Sequence, residues 1–193
     1  MNRVGQAVPE YQHVVVVMSI VLGLAVTQLL KGIAQLYRTR SRVRTYWIHS
    51  GWIALLLLFS FLLWWTYWNY RGISEWNFFR FVLYLSPAIA FYYLTAIVIP
   101  DPAEPVTDLK AYYFSNRAGF FGTFAFYGVL AATTASLVRG MPVLDPSNIF
   151  RAVLVVLMLV LLRSSSERVH GAILIVCGGL MVAFTVLYQF RLG

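Results

Sequence analysis

The residues of this chain that could do acid–base, metal or nucleophilic chemistry are few, and they sit at the edges of apolar runs. The seven carboxylates are Glu10, Glu75, Asp101, Glu104, Asp108, Asp145 and Glu167, and each falls in a loop or near the end of an apolar segment. Carboxylates in mid-membrane mark proton relays and cation sites. Their absence argues against a proton-coupled carrier. It also leaves no carboxylate pair for general acid–base catalysis or for a divalent metal. No histidine stands at a recognisable spacing from a serine or threonine nucleophile within an apolar run. The Gly-Leu-Ala-Val and Gly-Gly-Leu stretches lie inside apolar segments, where glycine serves close packing and does not cradle phosphate. Cys177 is the single cysteine, so neither an intrachain disulfide nor a zinc spacing is present. No catalytic or metal-ligating set is expected, and the chain does not read as an enzyme.

Two stripes and one histidine remain as candidate sites. His49, beside Ser50 near the start of the second apolar segment, is a candidate ligand for haem or chlorophyll; the competing reading is an interfacial histidine bonded to a neighbour. No other cofactor is implied. In the first segment Ser19, Gly23 and Thr27 recur every fourth residue, continued by Lys31 and Gln35. Such small faces let membrane helices approach closely, and packing within the chain is the favoured reading over a homo-oligomer contact or a pore face. In the fourth segment Asn116, Thr123, Tyr127 and Thr134 fall within roughly 40° of one another on a helix, with Arg117 near one end. They read as a narrow hydrated path or, preferably, as the face of a central packing helix. Ser86-Pro87 predicts a kink in the third segment.

These residues need elements to position them, and composition names the elements. Of 193 residues, 60% are hydrophobic and 11% charged, against about 45–50% and about 25% in soluble domains. A spanning helix needs about 20 mostly apolar residues. Six segments qualify: about Tyr11–Tyr37, Tyr46–Trp68, Trp76–Ile99, Tyr113–Val138, Pro146–Leu162 and His170–Phe190. The expected architecture is an all-α transmembrane bundle forming a single domain over residues 1–193. The fifth segment is the weakest, because its uninterrupted apolar part, Ala152 to Leu162, is bounded by Arg151 and Arg163, and Arg151 would have to snorkel to the headgroups. The apolar stretch from Val14 to Leu30 after Arg3 exceeds the roughly 7–15 residues of a signal core, so it reads as a retained first helix.

The net charge of +8 comes from 15 basic and 7 acidic residues. Because the basic residues lie in short turns between apolar runs, lipid is the expected partner and nucleic acid is not. Arg38, Arg40, Arg42 and Arg44 crowd the first turn, which places that turn in the cytoplasm and both termini outside. Their spacing of two residues does not match the every-third pattern of a voltage sensor. In the third loop Asp108 is placed to cap a helix leading into the fourth segment, with Tyr112, Tyr113 and Phe114 expected at headgroup level.

The chain resembles a family of small, uncharacterised bacterial multipass inner-membrane proteins. The residues that carry the likeness are Thr27-Gln28-Leu29-Leu30 with Gly32, the arginine turn, Tyr46-Trp47-Ile48-His49 with Trp52, and Trp64-Trp65. Pro100-Asp101, Asp108-Leu109, Tyr112 to Arg117 and Phe120-Phe121 extend it across residues 11 to 125. The resemblance implies a bacterial plasma membrane and no activity. Taken with the residues, the expected function is that of a non-enzymatic accessory, scaffold or assembly subunit acting through helix contacts, as a homo-oligomer or with other membrane subunits. The alternative is a small oligomeric channel or facilitator for anions or neutral solutes, since no acid ring or carbonyl filter for cations is visible.

Overall fold

Apolar side chains recurring every three or four residues turn the first segment into a helix with one buried edge. In the computed structural model, which describes residues 4–73, 75–100 and 107–189, α1 runs from Val4 to Arg38. Tyr11, Val14, Met18, Leu22, Ala25 and Leu29 form its buried edge, the period that a helix packed on one side requires. The remaining helices are α2 (Trp47–Tyr67), α3 (Phe78–Val98), α4 (Leu109–Arg139), α5 (Pro146–Arg163) and α6 (Glu167–Phe184), the last running on as a π-helical turn over Thr185–Gln189. All six are long and apolar enough to cross a membrane. The chain is therefore an all-α, multi-pass helical membrane protein.

Local chemistry sets the helix ends. The Asp108 carboxylate accepts from the backbone N–H of Lys110 at 2.9 Å and of Ala111 at 3.1 Å, so α4 begins at Leu109, four residues before the expected start. Tyr112, Tyr113 and Phe114 consequently lie within its first turns, and Tyr113 is buried against the neighbouring helices. Asn77 caps α3 through Arg80 N at 2.9 Å. Asp145 caps α5 through Ser147 N at 2.8 Å, with Pro146 in the first helical position. Gly140, at φ 68°, ends α4 in the left-handed conformation that glycine adopts without a Cβ penalty. The expected end of the sixth helix at Phe190, Arg3, and Asp101, Pro102, Glu104 and Pro105 of the third loop lie outside the described residues.

α4 is the centre of the bundle, packed along α5 on one side and α3 on the other; α1 lies along α3, and α6 closes against α2 and α5. Aromatic edges fill the α2–α4 contact: Trp52 meets Phe120, Phe121 and Phe124 with centroids 5.5–6.0 Å apart. A two-residue parallel pairing of β1 (Val43–Arg44) with β2 (Thr107–Asp108) ties the arginine turn to the start of α4. Pro87 sits inside α3, where its missing N–H deprives the Leu83 carbonyl of its helical donor. Two hydroxyls replace that donor. Ser86 Oγ donates to Leu83 O at 2.8 Å, and Thr134 Oγ1 reaches across from α4 to the same atom at 2.9 Å.

Candidate functional site

Buried polar groups gather at the two ends of the bundle. At the end that carries the arginine turn, Trp52 Nε1–H donates to Tyr113 Oη at 3.2 Å. Tyr113 lies 2.7 Å from His170 Nδ1, and His170 Nε2 lies 3.0 Å from the Ser164 carbonyl. A carbonyl only accepts, so the Nε2 of His170 carries the proton and its Nδ1 accepts from the tyrosine. The result is a directed chain of neutral bonds from α2 through α4 to the turn between α5 and α6. His49 makes the same kind of tie. Its Nε2–H donates to Val98 O, at the end of α3, at 2.8 Å, and its Nδ1 is buried without a partner. With Nε2 on a backbone carbonyl and its ring edge-on to those of Tyr112 and Tyr113, His49 ties α2 to the end of α3, and it does not line the cavity below.

Tyr46 stands just outside this cluster, its hydroxyl enclosed without a hydrogen-bond partner. Burial first, and then the Glu167 charge, push its phenol up to about 12. Glu167 is paired with Lys110 on the surface. With both partners about half exposed, such a pair contributes about 0–1 kcal/mol.

The opposite end holds a cavity of about 70 Å³ between α2, α4 and α5. Tyr67, Tyr70 and Tyr127 line it, each 4–7% exposed, and among the described residues none of the three hydroxyls has a hydrogen-bond partner. Arg139 and Arg151 flank it from the end of α4 and the first turns of α5. Their guanidinium contacts are to neutral groups: Arg139 Nη1 to Met141 Sδ at 3.0 Å, and Arg151 Nη1 to Asn148 Oδ1 at 2.8 Å. Phe59, Phe124, Phe150 and Leu154 form its floor and continue into a smaller apolar void of about 20 Å³ beside Trp52, Cys177 and Met181.

The structure separates the residues of the expected polar path. Asn116 donates to Tyr112 O of its own helix at 3.1 Å, Arg117 and Thr123 are half-buried, Tyr127 opens on the cavity, and Thr134 donates to Leu83 O of α3. Of these residues Tyr127 alone lines the cavity between α2, α4 and α5. The small stripe of α1 also departs from the favoured reading of packing within the chain. Gly23 is exposed, and a Cβ built on it meets nothing within 4 Å. Thr27 bonds to Gly23 O at 2.8 Å, and Ser19 is half-buried. The stripe therefore faces away from the bundle, and the large residues of α1 make the internal contact. Close approach within the chain is made elsewhere, at Gly128, where an added Cβ would sit 2.5 Å from Val155 Cγ2, and at Gly51, 2.5 Å from Leu174 Cδ2. Arg151 lines the cavity and donates to Asn148 Oδ1. Tyr67, Tyr70 and Arg139 carry no sequence signal of a site; the one available hint is two arginines flanking a turn that holds a single acid, Asp145.

Comparison of the chain with protein-family models, with curated proteins and with solved structures finds no match.

Proposed function

We propose that this chain is a non-enzymatic subunit of an assembly in a bacterial plasma membrane and works through helix–helix contacts. The observation that carries the reading is the outward face of α1. Ser19, Gly23 and Thr27 are turned to the lipid side while Leu22, Ala25 and Leu29 anchor the helix inside. In lipid, helices do not associate by the hydrophobic effect, so a face of small residues on an anchored helix is the surface on which another helix packs closely. The interior supports the same reading over the channel. Its buried polar groups gather towards the two ends or bond to neighbouring backbone, and α5 presents apolar side chains from Ala152 to Leu162.

Gentle detergent extraction followed by mass measurement of the complex tests this. The chain is expected in an assembly larger than one copy, which Gly23→Leu dissociates without unfolding the bundle. A strictly single-copy chain, indifferent to Gly23→Leu, would overturn the reading.

A further inference from the structure

We infer that the cavity between Tyr67, Tyr70, Tyr127, Arg139 and Arg151 is a binding site for an anionic lipid, its head between the arginines and its acyl chain in the groove between α2 and α6. The inference does not depend on the subunit reading above.

The head is argued from charge and unused donors. Two guanidiniums flank the space, and among the described residues neither is in an ion pair. No described carboxylate lines the cavity, and the nearest acid in sequence, Asp145, directs its carboxylate to the backbone of α5. Buried hydroxyls are normally hydrogen-bonded, yet three phenols that are at least nine-tenths buried point into this space without a partner. Two cations and three unpartnered hydroxyls with no carboxylate beside them suit an oxyanion, to which charge-assisted bonds are the strong ones. About 70 Å³ is available, and at roughly 10–15 Å³ for a water-sized group that is room for a phosphate and not for a whole lipid.

The chain is argued from continuity. Leu62 lines both the cavity and a groove of about 440 Å³ on the lipid-facing side, bounded by Leu58, Phe61 and Trp65 of α2 and by Val182 and Val186 at the end of α6. Met181 joins that groove to the apolar void under the cavity floor. An apolar chain leaving the cavity thus has an apolar path into the bilayer. A soluble phosphate would leave the path unused. The site lies in the leaflet opposite the arginine turn.

The test is native mass spectrometry of the full chain in mild detergent, with phosphatidylglycerol or phosphatidylcholine of identical acyl chains added. One phosphatidylglycerol is expected to be retained about tenfold more tightly than phosphatidylcholine, as charge-assisted bonds imply. Arg139→Gln with Arg151→Gln should lower that retention about tenfold or more, while Arg40→Gln with Arg42→Gln, at the other end, leaves it unchanged. Tyr127→Phe keeps the ring and removes one donor, and should weaken retention about threefold; it stands as the test if the double arginine variant does not fold. Equal retention of the two lipids, no effect of either cavity variant, or the same loss in the Arg40/Arg42 pair would overturn the site. Displacement of the lipid by an equal concentration of glycerol phosphate would assign the cavity to a free phosphate instead and overturn the lipid.

Discussion

Tyr113 stands between a donor and an acceptor, and its hydroxyl serves both, receiving from Trp52 and giving to His170. Tyr113→Phe leaves two buried polar atoms unpaired, and should destabilise the chain by about 2 kcal/mol or more. Thermal unfolding in detergent measures it, and an unchanged midpoint would show that the network holds nothing. Thr134 can be tested against the proline it compensates. Thr134→Val should cost about 1 kcal/mol. In a Pro87→Ala background, where the helix supplies its own donor to Leu83 O, the same change should cost less. Equal costs in the two backgrounds would mean that Thr134 does not compensate the proline. Tyr46 gives a pH dependence. Its phenol is raised from 10.0 in the unfolded chain to about 12 in the folded one. Folding therefore favours the neutral form, and this contribution is complete below pH 10 and lost as pH rises towards 12. Tyr46→Phe should make the alkaline loss of stability between those values shallower; an unaltered slope would show that Tyr46 is not its source.

At the scale of elements, the two sides of α1 have opposite tolerances. Leu22 is 2% exposed, and truncating a buried leucine costs about 2–5 kcal/mol through the cavity left behind. Leu22→Ala should therefore destabilise the bundle, while Gly23→Leu, placed in open space, leaves its unfolding midpoint unchanged or raised. The reverse order would mean that α1 is rotated from the position described. Gly128→Leu should be more damaging than either, since the new side chain meets Val155 and, behind it, the Arg151 carbonyl at 3.8 Å. α5 shows how a weak apolar segment becomes a spanning helix. Asp145 and Pro146 start it one turn before Arg151, and its 18 residues reach about 27 Å at 1.5 Å per residue. Arg151 is accommodated because the cavity lies at its side.

Across the whole molecule, polar groups cluster at both ends and a dry layer of aromatic and aliphatic side chains separates them. A conducting path needs polar groups along roughly 30 Å. The floor of the cavity is Phe59, Phe124, Phe150 and Leu154, and the void beneath it is lined by apolar side chains and the Trp52 ring. Reconstituted protein should show no ion or solute flux above empty liposomes. Reproducible flux abolished by Thr123→Leu would favour the channel. Orientation rests on Arg38, Arg40, Arg42 and Arg44: with the turn in the cytoplasm, a cysteine at position 41 in a Cys177→Ala background should resist an impermeant reagent applied from outside. Labelling from outside would reverse the molecule.

Length, hydropathy and capping chemistry are local, and so the sequence alone determined the class and the six helices; Asp108 and Asp145 cap the helices that follow them. Rotation is not local. A leucine in lipid and a leucine in the bundle have the same surroundings in polarity, so the sequence carried no sign of which face of α1 turns inward, and the small stripe pointed to the wrong side. Distance in sequence hid the rest. Thr134 and Leu83 meet only because α4 packs along α3 beside Pro87. The cavity takes Tyr67 from the end of α2, Tyr70 from the 3-10 turn that follows it, Tyr127 and Arg139 from α4 and Arg151 from α5. Only packing brings their hydroxyls and charges to one space, and only packing leaves them there without acceptors.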